Sequence, residues 1–166
     1  GDRTTIALPA IQTEVMKRLN LLGKSLIFIC MSGGAMSFNW EVENLPVIIQ
    51  AWYGGQSTGT ALADILFGRY NPSGKLPVTF YHSDADLPPI KDYSMSNRTY
   101  RYFGGDVLYP FGYGLHYGET NYDGLSVDKA ESDVNEPVEV FVNVTNDSRY
   151  TVNEIVQLYI RHVDAA

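Results

Sequence analysis

Residues 51–79 constrain this chain more than any other stretch: they read AWYGGQSTGTALADILFGRYNPSGKLPVT. A glycine-rich turn (Gly54, Gly55, Gln56, Ser57, Thr58, Gly59) leads into a short apolar helix, and a Pro/Gly turn at 71–74 leads into a second apolar run. Strand, glycine loop, helix, turn and strand predict one βαβ unit around which the rest is arranged. Ser57 or Thr58 is the expected N-cap, and Gly68 the expected C-cap after Phe67.

The flanks fit that plan. Ile11, Val15, Leu19 and Leu22 recur at helical spacing across 9–22, with Pro9 suited to the first turn and Gly23 to the C-cap. Residues 25–31 (SLIFICM) and 47–52 are short apolar runs that read as strands buried on both faces, as parallel sheets require. Ser32-Gly33-Gly34 breaks the first run, and 38–44 reads as a short helix. From 81 to 122 periodicity fades into a long loop region rich in Tyr, Pro and Gly, of the kind that wraps a surface or carries function. Beyond Leu125 the pattern changes again. Val138, Val140, Val142 and Val144 alternate with polar or aromatic residues, and Val156, Leu158 and Ile160 repeat the alternation. This is antiparallel sandwich material, and two or three such strands do not close a sandwich. The expected fold class is therefore α/β, a mostly parallel sheet between helices, followed by a partial antiparallel β-sandwich segment. The expected domains are 1–122 and 123–166.

Composition excludes several functions. At −7 formal charge with scattered Lys and Arg, neither nucleic acid nor a membrane surface is an expected partner. No run reaches the length of an apolar membrane span. Cys30, the single cysteine, reads as a buried hydrophobe. The 12 tyrosines suit packing and turns first and sugar-binding walls second. The first residues, Gly1-Asp2-Arg3, lack Met and read as the start of a processed or excised piece.

Sharper motifs fail one by one. Gly54 to Gly59 fits G-x-x-x-x-G, but Thr60 and Ala61 stand where a phosphate loop requires Lys and Ser/Thr. His82, His116 and His162 lie in different segments without paired ligand spacing, so no metal and no cofactor is expected. Ser32 lacks the G-x-S-x-G elbow. Glu41 and Glu43 read as a solvated helix face rather than an acid/base pair, and Asp2-Arg3 as an ion pair fixing a loop. Three glycosylation sequons, at Asn97, Asn143 and Asn146, are of a pattern common by chance.

A combination of motifs reaches further. Asp2-Arg3, Ile6-Ala7-Leu8-Pro9, Gln12, Ser32-Gly33, Ala51-Trp52-Tyr53, Gly55-Gln56 and Ala63-Asp64-Ile65-Leu66-Phe67-Gly68 follow one another in order. So do Asn71-Pro72-Ser73-Gly74-Lys75-Leu76-Pro77-Val78-Thr79-Phe80, Arg98-Thr99-Tyr100-Arg101-Tyr102-Phe103 and Pro110-Phe111-Gly112-Tyr113-Gly114-Leu115. This series resembles the C-terminal α/β domain of family 3 glycoside hydrolases, closest to β-xylosidase and β-glucosidase members. The tail with Asn143, Asn146 and Val156-Gln157-Leu158-Tyr159 is similar to the fibronectin type III-like domain that often follows. Gly54 stands where that family commonly has proline, His116 where it has serine, and Gly118 where it has threonine.

The resemblance implies part of a retaining, exo-acting enzyme that hydrolyses terminal β-linked sugars of oligosaccharides. One carboxylate attacks the anomeric carbon and a second carboxyl acts as acid and then base. In the family the nucleophile belongs to an N-terminal barrel and the acid/base glutamate precedes the Asp-Arg pair, so no catalytic residue is expected in this fragment, which alone should be inactive. Its partners would be the barrel, the oligosaccharide and, through exposed β edges, another copy of itself. The substrate-side loops would be Ser32, Gly33, Gly34, Tyr53 and Gln56, and the compartment periplasmic or secreted. A stand-alone carbohydrate-binding or scaffold module is the alternative.

Overall fold

The computed structural model describes residues 3–163. These fall into two compact units, one running to 61 and taking in 75–113, the other made of 62–74 and the described residues from 114 onward.

The first unit opens with helix α1 (Ala10–Asn20), which starts after Pro9 and ends where Gly23 takes a φ of 66°. Strand β1 (Ile27–Cys30), helix α2 (Asn39–Asn44) and strand β2 (Val47–Gln50) follow, and the strands pair in parallel from Ile27↔Val47 to Cys30↔Gln50. The βαβ unit is thus β1-α2-β2. The expected second strand after the glycine turn is absent among the described residues. The run 76–80 is instead held against 109–113 at its two ends, where Leu76 N–H donates to Tyr113 O (2.8 Å) and Phe80 N–H to Tyr109 O (2.9 Å). Pro77 and, on the facing segment, Pro110, neither of which has an N–H, interrupt any continuous ladder.

The core of this unit is aromatic. Phe80 (0% exposed), Phe38, Met36 and Cys30 are buried together, with Phe28, Trp52 and Tyr109 packed around them. Phe38 meets Phe28 and Phe80 edge-to-face with centroids 5.9 Å apart, and Trp52 meets Phe80 at 6.1 Å. The expected burial of both strand faces is overturned. Ile27 and Val47 are 44% and 41% exposed, because a sheet two strands wide leaves its faces uncovered. The helically spaced Ile11, Val15, Leu19 and Leu22 are exposed too, and Met16 is the buried residue of α1.

The reason lies in α2. Thr13 Oγ1 donates to Glu41 Oε1 at 2.6 Å, and Lys17 Nζ stands 5.7 Å from the Trp40 ring centroid, so the Thr13–Lys17 side of α1 faces that helix. Glu41 is correspondingly 1% exposed, which corrects its reading as a solvated residue; Glu43 is exposed as anticipated. The ion pair expected for Asp2-Arg3 lies outside the described residues on the Asp2 side. Arg3 itself donates to Met36 Sδ (2.7 Å) and Ala7 O (3.0 Å).

Helix α3 (Thr58–Leu66) carries the chain from the first set of residues into the second. Thr58 Oγ1 donates back to Gly55 O (2.7 Å). Gly68, at φ 71°, ends the helix as expected. A Cβ added at Gly54 would lie 1.8 Å from Thr58 Oγ1, so glycine at this position is what lets the threonine sit where it does.

In the second unit strands β3 (Thr120–Val127) and β4 (Val140–Asn146) form an antiparallel pair. The register slips between Asp123 and Ser126, where Gly124 takes a φ of 65°. β3 lies in the stretch read from sequence as loop and transition, whereas β4 falls within the anticipated valine alternation. The second expected strand, 156–160, is irregular; alternation makes a strand only where another strand pairs with it, and no described segment does. Asn71 ties this unit together, donating from Nδ2 to Tyr117 O and Thr151 O (both 2.9 Å) and accepting from Tyr117 N–H at 2.7 Å. His116 is nearly enclosed, with Nε2 3.3 Å from Glu154 Oε2 and 3.1 Å from Thr120 Oγ1.

Candidate functional site

The carboxyl ends of parallel strands are where ligands approach open α/β sheets. Here β1 runs out into Ser32-Gly33-Gly34 and β2 into Trp52-Tyr53. Ala51 N–H still donates to Cys30 O (2.8 Å), so the two strands leave the sheet side by side. Ser32 Oγ donates to Gly34 O (2.8 Å) and accepts from Gln50 Nε2 (3.0 Å), which folds the glycine loop back on itself. Gly33 is needed for what comes next. A Cβ there would lie 2.7 Å from Cε2 of Tyr53, whose ring rests on the loop while remaining 77% exposed. Trp52, at φ 54°, turns the chain so that its own ring enters the core and Tyr53 faces out.

Within the first unit these loops border an open cleft of about 1450 Å³. Four of the five anticipated residues, Ser32, Gly33, Gly34 and Tyr53, line it; Gln56 stands on the exposed glycine turn away from it. The remaining walls come from Arg3 to Ile6 and Gln12 on one side, and from Asp84, Leu87 to Ile90 and Arg98 on another. None of these was read from sequence as part of a site. The adjacent prolines 88 and 89 were the nearest available signal, since they stiffen a loop wall.

Two ionisable groups define what the cleft can do chemically. Asp84 is held below the usual carboxylate range by the Thr5 hydroxyl and by Ile6 N–H, which donates to Oδ1 at 2.8 Å. It is a charged anchor for the segment at 5–6 rather than a proton donor. Burial pushes the Cys30 thiol up, opposed by Ser32 and Arg3, so the sulfur stays protonated and is no nucleophile at neutral pH. The cleft is thus lined by backbone, hydroxyl and guanidinium groups and by the aliphatic side chains of residues 87–90.

The profile of the Glycosyl hydrolase family 3 C-terminal domain matches residues 1–117. The chain belongs to glycosyl hydrolase family 3. A xylan 1,4-beta-xylosidase of Xylanibacter ruminicola is 48% identical over 98% of this chain and 19% of its own length. A periplasmic beta-glucosidase of Salmonella typhimurium is 32% identical over 100% of the chain and 23% of its own. Among solved structures, beta-glucosidase 3B from Thermotoga neapolitana in complex with alpha-D-glucose superposes with a TM-score of 0.74 at 31% identity, covering 85% of this chain and 22% of that one. The family 3 chain described here thus spans about one fifth of the length of such relatives, and its fold is that of their C-terminal domain. Its expected kinship with β-xylosidases and β-glucosidases holds on these matches.

Proposed function

We propose that these residues form the C-terminal portion of a retaining, exo-acting β-glycosidase, a β-xylosidase or β-glucosidase that removes terminal non-reducing β-linked sugars from plant-type oligosaccharides. The observation that carries this reading is the cleft at the ends of β1 and β2, together with its carboxylate inventory. Double displacement uses two carboxyl groups about 5–5.5 Å apart. Among the described cleft residues only Asp84 carries one, and its oxygen is already bonded to the backbone at Ile6. The chain accordingly provides one wall of the sugar-binding site, through Ser32, Gly33, Gly34 and Tyr53, while nucleophile and acid/base come from elsewhere in the enzyme, the nucleophile from a barrel domain. The higher identity to the xylan 1,4-beta-xylosidase favours xylosides.

The finer architecture belongs to the same proposal. Residues 1–122 are the α/β domain, its parallel sheet lying between helices in the whole enzyme, and 123–166 begin a fibronectin type III-like domain; the antiparallel β3-β4 pair, which starts just before that boundary at Thr120, supports an antiparallel segment there. The name of the Salmonella relative supports an extracytoplasmic location.

The isolated chain is expected to release no product from an aryl β-xyloside or β-glucoside, whereas the full-length enzyme hydrolyses at least one of them. Turnover by the isolated chain that survives stringent purification would overturn the proposal. Millimolar or tighter binding of xylo-oligosaccharides to the isolated chain by titration calorimetry, with an inactive full-length protein, would favour the binding-module reading. The exposed valines of β4 (39%, 36% and 42% at Val140, Val142 and Val144) predict self-association of the isolated chain, read as a mass that rises with concentration in analytical ultracentrifugation. A monomer at all concentrations, with rapid amide exchange in β3 and β4, would count against it.

A further inference from the structure

One side chain shapes the aliphatic wall of the cleft. Between the 3-10 turn Asp84–Asp86 and helix α4 (Thr99–Tyr102) the backbone has no strand or helix. The Arg98 guanidinium holds that loop by its carbonyls: Nε donates to Ser94 O (3.0 Å), and Nη2 to Pro89 O (3.3 Å) and Asp92 O. The residues on either side of Arg98 are both left-handed, Asn97 at φ 55° and Thr99 at φ 58°. For a β-branched threonine this is a true outlier, and such strain persists only where surroundings impose it. What imposes it is visible: Thr99 N–H donates to Tyr81 Oη (3.0 Å), and the Tyr81 ring packs edge-on to Phe103 with centroids 4.9 Å apart. The backbone on one side and the carbonyl bonds on the other thus fix Arg98 between a rigid anchor and the loop. Leu87, Pro88, Pro89 and Ile90, the part of that loop that lines the cleft, present an aliphatic surface, and Ile90 is 91% exposed.

We propose that Arg98 is a positioning residue that sets this aliphatic wall as a platform for the sugar next to the one hydrolysed. The inference rests on the function proposed above. The hydrolysed sugar is gripped by two carboxyl groups, so an aliphatic surface such as 87–90, which carries none, suits the sugar beside it. The C–H face of a pyranose is the partner that an exposed Pro/Ile surface fits, with hydroxyls left for the polar wall opposite.

The test uses the full-length enzyme with Arg98→Ala and Arg98→Lys, assayed on xylotriose and on methyl β-xyloside, whose aglycone is too small to cover the platform. Lysine keeps the charge but cannot fork to several carbonyls, so both variants are expected to behave alike. KM for xylotriose should rise about tenfold with kcat little changed, and kcat/KM for xylotriose should fall about fivefold more than for the methyl xyloside. An equal loss on both substrates, or none on either, overturns the proposal. Should the arginine variants not fold, Ile90→Asp replaces a fully accessible side chain and must give the same selective rise in KM; no selectivity there overturns it too. A wild-type enzyme that hydrolyses no β-glycoside at all brings down the underlying function, and that outcome is read before any variant is made.

Discussion

Phe80→Ala is expected to destabilise the first unit by about 3–5 kcal/mol, a large share of the roughly 5–15 kcal/mol that holds a domain of this size folded. The ring is fully buried, and it is the point where Phe38, Trp52 and the backbone at Tyr109 converge. Removing it forfeits the transfer free energy of the ring and leaves a cavity that rigid aromatic neighbours cannot close, so the cavity cost adds to the transfer cost instead of relaxing away. Phe80 also carries both hydrogen bonds of its bridge to Tyr109, but these are backbone bonds and survive the substitution. Packing, not hydrogen bonding, therefore decides the effect. Phe80→Leu, which keeps much of the volume, should cost distinctly less. Urea unfolding followed by far-UV circular dichroism and tryptophan fluorescence measures both, since Trp52 lies against the altered ring. A loss below about 1 kcal/mol for the alanine variant would mean that the core is not organised on this residue.

How much of this was legible beforehand depends on whether a signal is local. The apolar runs that became β1 and β2, the helix after Pro9 and the stop at Gly68 rest on periodicity, φ preference and capping, all of which act within a few residues. The run 76–80 carries the same apolar signal and fails as a strand because Pro77 and its partner segment with Pro110 cannot complete a ladder, and the partner is not a local feature. Glu41 looked solvated because nothing nearby in sequence says that Thr13 will donate to it across 28 positions. The stripe Ile11, Val15, Leu19 is apolar enough to call for burial, yet in this chain the other side of α1 is the one that meets α2.

The cleft repeats that division. Ser32, Gly33, Gly34 and Tyr53 were accessible to sequence reasoning because topology places loops at strand ends. Asp84 and Arg98 were not, since one is tied to Ile6 from 78 positions away and the other acts on carbonyls of a loop without periodicity. Gly33 is the instructive intermediate. Its glycine is visible in the sequence, but the reason for it, a tyrosine ring at 2.7 Å from where a Cβ would stand, belongs to the folded chain.

Asn71 is the second position where one substitution should have a large effect. It opens the run Asn-Pro-Ser-Gly-Lys-Leu-Pro, and its side chain uses both its donor and its acceptor group on backbone. Nδ2 reaches Tyr117 O and Thr151 O, Oδ1 takes Tyr117 N–H, and Tyr117 Oη donates to Ile65 O at 2.8 Å, so the turn after α3 and the segments at 117 and 151 form one knot. Asn71→Ala removes three hydrogen bonds worth roughly 0.5–1.5 kcal/mol each, for an expected loss of about 2–4 kcal/mol, nearer the lower figure where water reaches the freed carbonyls. Asn71→Asp separates the possible causes. It has the same shape and keeps an acceptor for Tyr117 N–H, but it sets a carboxylate oxygen against the carbonyls of Tyr117 and Thr151 that Nδ2 now serves. If the amide clamp is what matters, the aspartate variant is at least as unstable as the alanine variant, while Tyr117 N–H retains more protection from exchange in the aspartate variant. If shape alone matters, aspartate is nearly silent. Urea unfolding together with amide exchange at Tyr117 distinguishes the two, and an aspartate variant within about 0.5 kcal/mol of the parent chain would exclude the clamp.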